Sequence, residues 1–251
     1  MGRLSALVLF CLVIAVVVLA LQAPASWVAH RLAEAIGGSV RVIEAEGTVW
    51  DGRGVLTSPD GRWKVPVAWH LKAAPLLRGE VEVELVAHSG RDTPRGTLRM
   101  SRTGFATQGL VLDLPATILE SAFAGERPAT FGGEIRVEAR ELAVEGPRAS
   151  GGVTMRWERA RLAARDGTSV SLGTVTASFV PREGTLTGRI ANVGGEAAVA
   201  GTMTLLTSGV ALDALLAPRS GASETVVRVL RELGPPDADG TVRLQWLSER
   251  R

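Results

Sequence analysis

The side chains with chemistry to offer are few and scattered. Three histidines, His30, His70 and His88, stand far apart and lack the spacing of metal ligands. His88-Ser89 and Asp92 bring the residue types of a hydrolytic triad into one stretch, but a triad is a spatial relation and not a sequential one. The histidines therefore read as surface or strand-end residues. Glu82 and Glu84 lie two apart, which puts both on the wet face of a strand; a glycosidase pair would need a cleft that raises one of the two pKa values. Asn192 is the only asparagine in the chain, and Gly194, Gly195, Glu196 and Thr202 follow it closely. Asparagine tolerates positive φ, so the stretch reads as a hairpin turn. On that reading Glu196 and Thr202 have no partners and Asn192→Gly is tolerated.

Other chemistry is excluded by absence of its motif. There is no phosphate-cradling Gly-x-x-x-x-Gly-Lys-Ser/Thr loop. The one cysteine, Cys11, permits neither an intrachain disulfide nor a cysteine metal site. The expectation is a protein with no catalytic residue, no metal and no cofactor: not an enzyme. Basic and acidic residues number 28 and 26, and they are interleaved along the chain. Nucleic acid, which needs clustered cations, is not an expected partner. Of the six tryptophans, Trp50, Trp63, Trp69, Trp157 and Trp246 fall in or beside strand patterns; core packing is the first explanation and a ligand-stacking surface the second.

The elements that would position these residues are mostly strands. In residues 80–87 Val81, Val83, Leu85 and Ala87 alternate with Glu80, Glu82 and Glu84; residues 134–140, 152–158, 174–180 and 241–246 repeat the pattern. Period two with one wet face predicts antiparallel sheet covered on one side. The apolar phase slips after Ala139 and after Trp157, which predicts bulges near Arg140-Glu141 and Glu158-Arg159. Two stretches have helical spacing instead. Residues 115–125 run from Pro115 through Ile118, Leu119, Ala122 and Phe123 to Gly125. Residues 223–236 run from Ser223, a candidate N-cap, through Val226, Val227, Leu230 and Leu233 to Gly234. Both helices are expected to cover the dry face.

Residues 96–140 and 201–247 share an order of elements. Gly-Thr opens a strand, an apolar strand ends in Pro115 or Pro218, a helix ends at Gly125 or Gly234, and a final strand follows. Two similar modules in series are one reading; the other is that any meander with a covering helix looks this way.

The N-terminus carries a different message. Residues 4–21, which include Leu4, Phe10, Cys11, Val17 and Leu21, are uncharged, and as a helix they reach about 27 Å, the thickness of a bilayer's hydrocarbon core. Ala23-Pro24-Ala25 also fits a signal-peptidase site, but the apolar run is longer than a cleaved signal usually has. The expectation is a transmembrane anchor over 1–25, a juxtamembrane helix over 26–37 and an exported β domain over 38–251.

"EGTVWDG" (46–52), "VAWHLKAAPLLRGEVEVEL" (67–85), "IANVGGEAAVAGTMTL" (190–205) and "VLRELGPPDADGTVRLQW" (229–246) together resemble the type II secretion system protein N family. The positions that carry the resemblance are Gly47, Trp50, Gly52, Trp69, Asn192, Gly194, Gly195, Gly201, Asp237 and Gly240. It implies a single-pass protein of the bacterial inner membrane. The bulk would lie in the periplasm as a β domain, accessory to protein secretion and in contact with other secretion subunits; read as two modules in series, that domain is expected to be a long, curved antiparallel sheet. An alternative from the residues alone is a membrane-tethered lipid carrier with an open apolar β groove.

Overall fold

The computed structural model describes residues 23–26, 41–87, 95–122, 130–146, 148–164, 166–182, 185–206 and 209–249. The expected anchor residues Leu4, Phe10, Cys11, Val17 and Leu21, nearly all of the expected juxtamembrane helix, and His30 and His88 lie outside them. Among the described residues no helix is long and apolar enough to cross a membrane.

Alternation becomes sheet almost without interruption. The strands are β1 (Arg41–Gly47), β2 (Asp51–Thr57), β3 (Lys64–Lys72), β4 (Val81–Ala87), β5 (Arg95–Met100), β6 (Gly104–Pro115), β7 (Thr130–Glu145), β8 (Arg148–Ser150), β9 (Val153–Ala163), β10 (Ser169–Arg182), β11 (Thr185–Val193), β12 (Ala197–Leu206), β13 (Gly209–Pro218) and β14 (Val242–Glu249). They form one antiparallel sheet in sequence order. The short β8 sits to the side and pairs only with β7. The sheet is open, with β1 and β14 at its edges. The expected mainly β, antiparallel architecture is thus present.

Among the described residues three short helices accompany the sheet, where two covering helices were expected. The addition is α1 (Ala73–Leu76), a single turn directly after β3 that buries Pro75; four residues are too few for periodicity to reveal. Helix α2 (Ile118–Ala122) follows Pro115 as expected, and the proposed end at Gly125 lies outside the described residues. Helix α3 (Glu224–Leu233) starts after Ser223, whose extended backbone suits an N-cap but whose hydroxyl makes no capping bond. Its core-facing residues Val226, Val229 and Leu230 are almost wholly buried. Val226 and Leu230 are on the expected face and Leu233 packs against the same core, while Val229 joins them as an i, i+3, i+4 set and Val227 is only half-buried.

One core joins α3 to the sheet. Val226, Val229 and Leu230 meet an apolar face that includes Val170, Leu172, Val175, Ala214, Leu216 and Val242, and the cluster extends through Trp157 and Phe179 to Ile135 and Leu142. Across β7 to β14 this face is filled.

The phase slips resolve as bulges. Between the Glu138–Thr154 pair and the Ala143–Ser150 pair, β7 carries one residue more than the chain opposite, so Ala139 and Leu142 both reach the core while Arg140 and Glu141 both face solvent. In β9 the extra residue falls at Arg159, with φ 49°, opposite Gly133. The indole Nε1 of Trp157 donates to the Gly132 carbonyl (2.9 Å) and fixes the kink.

Residues 96–140 and 201–247 run through β5-β6-α2-β7 and β12-β13-α3-β14. Each also ties the strand before its helix to the strand after it by a two-pronged ion pair. Arg136 Nε and Nη2 donate to Asp113 at 2.7 and 3.0 Å; Arg243 Nε and Nη2 donate to Asp213 at 2.9 and 2.6 Å.

Leu230→Ala is expected to lower the unfolding free energy by about 2 to 5 kcal/mol, because a fully buried leucine leaves a cavity. Denaturant titration of the full chain measures this, and a loss below about 1 kcal/mol would mean that α3 is not seated in the core.

Candidate functional site

Three groups of the sequence-predicted positions are brought together by the fold, each at a strand turn. The first is at the β1–β2 hairpin. Gly47, with φ +88°, pairs with Gly52, and Gly52 in turn lies opposite Trp69 of β3. A Cβ at Gly52 would run into the Trp69 indole, so the bare glycine is the floor on which the ring rests. The indole Nε1 donates to the Val49 carbonyl (3.2 Å) and the Leu71 N–H donates to the Trp50 carbonyl (2.7 Å). Trp69 is therefore a buried spacer between three strands, as core packing requires. Ala23 and Pro24 close over the same hairpin: Val49 N–H donates to the Ala23 carbonyl (2.8 Å), and Pro24 bridges to Thr48.

Beside this hairpin lies a shallow depression of about 520 Å³. Its polar lining includes Glu46, Asp51, Arg53, His70 and Glu84. His70 Nδ1 is 2.6 Å from Asp51 Oδ1, the orientation that holds an imidazole in one tautomer. A nucleophile would complete a catalytic pair, but no serine, threonine or cysteine is among the lining residues. Both partners are more than half exposed. The pair is an open strand-to-strand clasp, and only the β2–β3 register, invisible without the hairpin, could have revealed it.

The second group is centred on Asn192, and here the structure corrects the sequence reading. Asn192 lies in β11 and is not a left-handed turn residue; the positive φ values belong to Gly194 (74°) and Gly195 (79°). Its amide acts as a bracket. Nδ2 donates to the carbonyls of Leu172 (2.7 Å) and Ala197 (2.8 Å), while Oδ1 accepts from the Val199 N–H (2.7 Å) and from Arg219 Nη2 (3.3 Å). One side chain therefore fastens β10 to the β11–β12 hairpin and to the end of β13. Glu196 also has partners: Oε2 accepts from the Ser171 N–H (2.9 Å), its own N–H donates to the Ser171 carbonyl (2.7 Å), and its carbonyl accepts from Arg219 N–H (3.0 Å). Thr202 is exposed. Gly195 packs where a Cβ would strike the Leu172–Gly173 backbone, and Gly201 where it would strike β13 at Asp213–Ala214.

The third group is the turn that precedes β14. Asp237 Oδ1 accepts from the N–H groups of Asp239 (3.0 Å) and Thr241 (2.8 Å), and Gly240 takes φ +78°. This aspartate-nucleated turn aims the chain into β14.

Lys72, Glu82, Glu84 and Arg99 form a charge cluster on the face that strand alternation makes wet. Glu82 is 8 % exposed, because Lys72 of β3 and Arg99 of β5 reach over it from both sides, with Lys72 Nζ at 2.8 Å and Arg99 Nη2 at 2.8 Å. Strand alternation does place it on the polar face, but long neighbours fold over it. The hydrogen bond from Lys72, then that from Arg99, holds the Glu82 carboxyl below the ordinary range. Lys72 likewise lowers Glu84, and these two carboxylates raise Lys72. Among the described residues no three His, Cys, Asp or Glu side chains converge as a metal site would need.

Two predictions follow from these contacts. Replacing Asn192 by glycine strands buried backbone partners, so it is expected to cost about 2 to 3 kcal/mol. Asn192→Asp, which sets an acceptor against two carbonyls, should be no better. Unfolding of both variants by urea checks this, and wild-type midpoints would show that the bracket is dispensable. For Glu82 the sign follows from its lowered value: the contribution is complete above the ordinary carboxyl value of 4.5 and disappears as pH falls through the lowered one. Glu82→Gln should therefore flatten the acid side of a stability-against-pH curve while lowering its neutral plateau; parallel curves for the two proteins would rule the coupling out.

Among the described residues the sheet thus carries turns that fasten strands, an exposed Asp51–His70 clasp and a covered Glu82 carboxylate. No curated protein and no solved structure matches the chain, whereas the family model for protein N of the type II secretion system (T2SS) matches residues 38–245. That span takes in the sheet from β1 into β14 and all three turn groups, and the chain belongs to the type II secretion system protein N family.

Proposed function

We propose that this protein is an accessory inner-membrane component of the type II secretion system. In this reading it is held by a single span over residues 4–21 and acts through protein–protein contacts of a periplasmic β-sheet. The observation that carries the reading is the family match over 38–245. The apolar run in front of that region supports the anchor, being uncharged and long enough to span a bilayer. The open sheet supports a contact role, since its side chains at the turns are engaged in holding strands together and leave two edges and an outer face available. No observation favours the lipid-groove alternative, and from β7 to β14 the apolar face is occupied by packed side chains and α3.

The test is made in a strain carrying the whole secretion apparatus. Photo-cross-linking from periplasmic positions of this chain is expected to capture other subunits of the system, and deletion of the gene is expected to hold secreted proteins back in the periplasm. His70→Ala is expected to secrete at the wild-type level, because the His70–Asp51 clasp performs no reaction. Normal secretion in the deletion strain, with no subunit captured, would refute the reading.

A further inference from the structure

The outer face of the sheet carries charges of both signs, with Glu134 and Glu158 beside its arginines, and two of those arginines stand outside its ion pairs. Arg136 of β7 lies directly across from Arg156 of β9, an arrangement that repels. Arg136 has Asp113 as its counter-ion and Arg140 has Glu138. Arg156 and, two strands further, Arg189 of β11 are exposed and have no acidic partner among the described residues. Ser178 of β10 pairs with both Thr154 and Arg189, so hydroxyls fill the ground between the two arginines.

The sheet is notched at the same place. β9 begins at Val153, opposite Phe179, whereas β10 continues to Arg182 and β8 has already ended at Ser150. A depression of about 620 Å³ results, with Arg156, Thr154, Ser178 and Val180 in its lining; Arg189 stands outside that lining, across from Ser178. Val180 stands exposed (57 %) at its rim, and the Phe179 ring is turned into the core.

We propose that this notch and the arginine beside it bind an acidic, extended segment of a partner protein, with one carboxylate on Arg156 in the notch, another on Arg189 next to it, and small apolar side chains against Val180. Guanidinium forks match carboxylates in geometry as well as charge. A protein segment fits better than an anionic bilayer for two reasons. Asp113 and Glu138 share the face and would oppose a uniformly negative surface, and no aromatic ring is presented there to enter an interface. The inference concerns this face alone and is independent of the machine the chain serves.

The experiment uses the full chain in uncharged detergent micelles and a fluorescein-labelled decapeptide of alternating glutamate and valine, read by anisotropy. The double variant Arg156→Gln, Arg189→Gln is expected to weaken binding about tenfold, the combined loss of two exposed ion pairs. A control with the same change in net charge, Arg228→Gln with Arg231→Gln on α3, is expected to leave binding unaltered, as is the thermal midpoint of both variants. Three results would each overturn the proposal: no peptide binding, equal weakening by the two double variants, or notch-dependent binding to phosphatidylglycerol vesicles without binding to the peptide.

Discussion

Each strand on the main path of this sheet, its two edges apart, takes its hydrogen bonds from the neighbour before it and the neighbour after it on that path, and nearly everything else in the molecule answers to that constraint. A meander of this kind has no crossover connection to bury it from both sides, so one face must be apolar and the other polar. It also has no closure, so two edges persist. The first requirement explains α3, which seats Val226, Val229 and Leu230 on the apolar face. The second is met differently at each end. At β1 the register shifts between Ile43 and Glu46, with Glu44 in a left-handed conformation, and Pro24 bridges the end of the strand; β14 pairs with β13 in unbroken register from Val242 to Glu249.

The turns bear the strain of keeping so many strands in register. Asn192 shows how. A one-residue slip in the β11–β12 hairpin would turn every apolar side chain of the strand to the wrong face, and the bracket from Leu172 to Ala197 and Val199 recognises only one register. The Asp113–Arg136 and Asp213–Arg243 pairs serve the same end across the gaps where α2 and α3 interrupt the meander. At both places polar chemistry specifies geometry.

How much of this was legible beforehand depended on range. Strand alternation, the bulges at Arg140–Glu141 and Arg159, the helix after Pro115 and the Asp237 turn are written in contiguous residues, and they were readable. What could not be read needed a partner from another strand. Asn192 looked like a loop residue because its acceptors, Leu172 and Ala197, lie on other strands; Glu82 looked solvated because Lys72 and Arg99 lie on either side of it only once β3, β4 and β5 are aligned. The clasp between Asp51 and His70 was hidden for the same reason. Helix α1 was too short to have a period at all.

The sequence-ordered pairing has a kinetic side. Contacts between neighbouring strands close short loops, and short loops are quick and entropically cheap to close, unlike the distant pairings that make many β proteins slow. A chain that arrives N-terminus first can therefore add one hairpin at a time to an existing template, without waiting for its last residues. The exception is the apolar surface under α3, which includes strands from β10 to β14. Until Glu224–Leu233 has emerged, that surface stays bare, and the interval before it is covered is when the nascent domain is most exposed to misassembly.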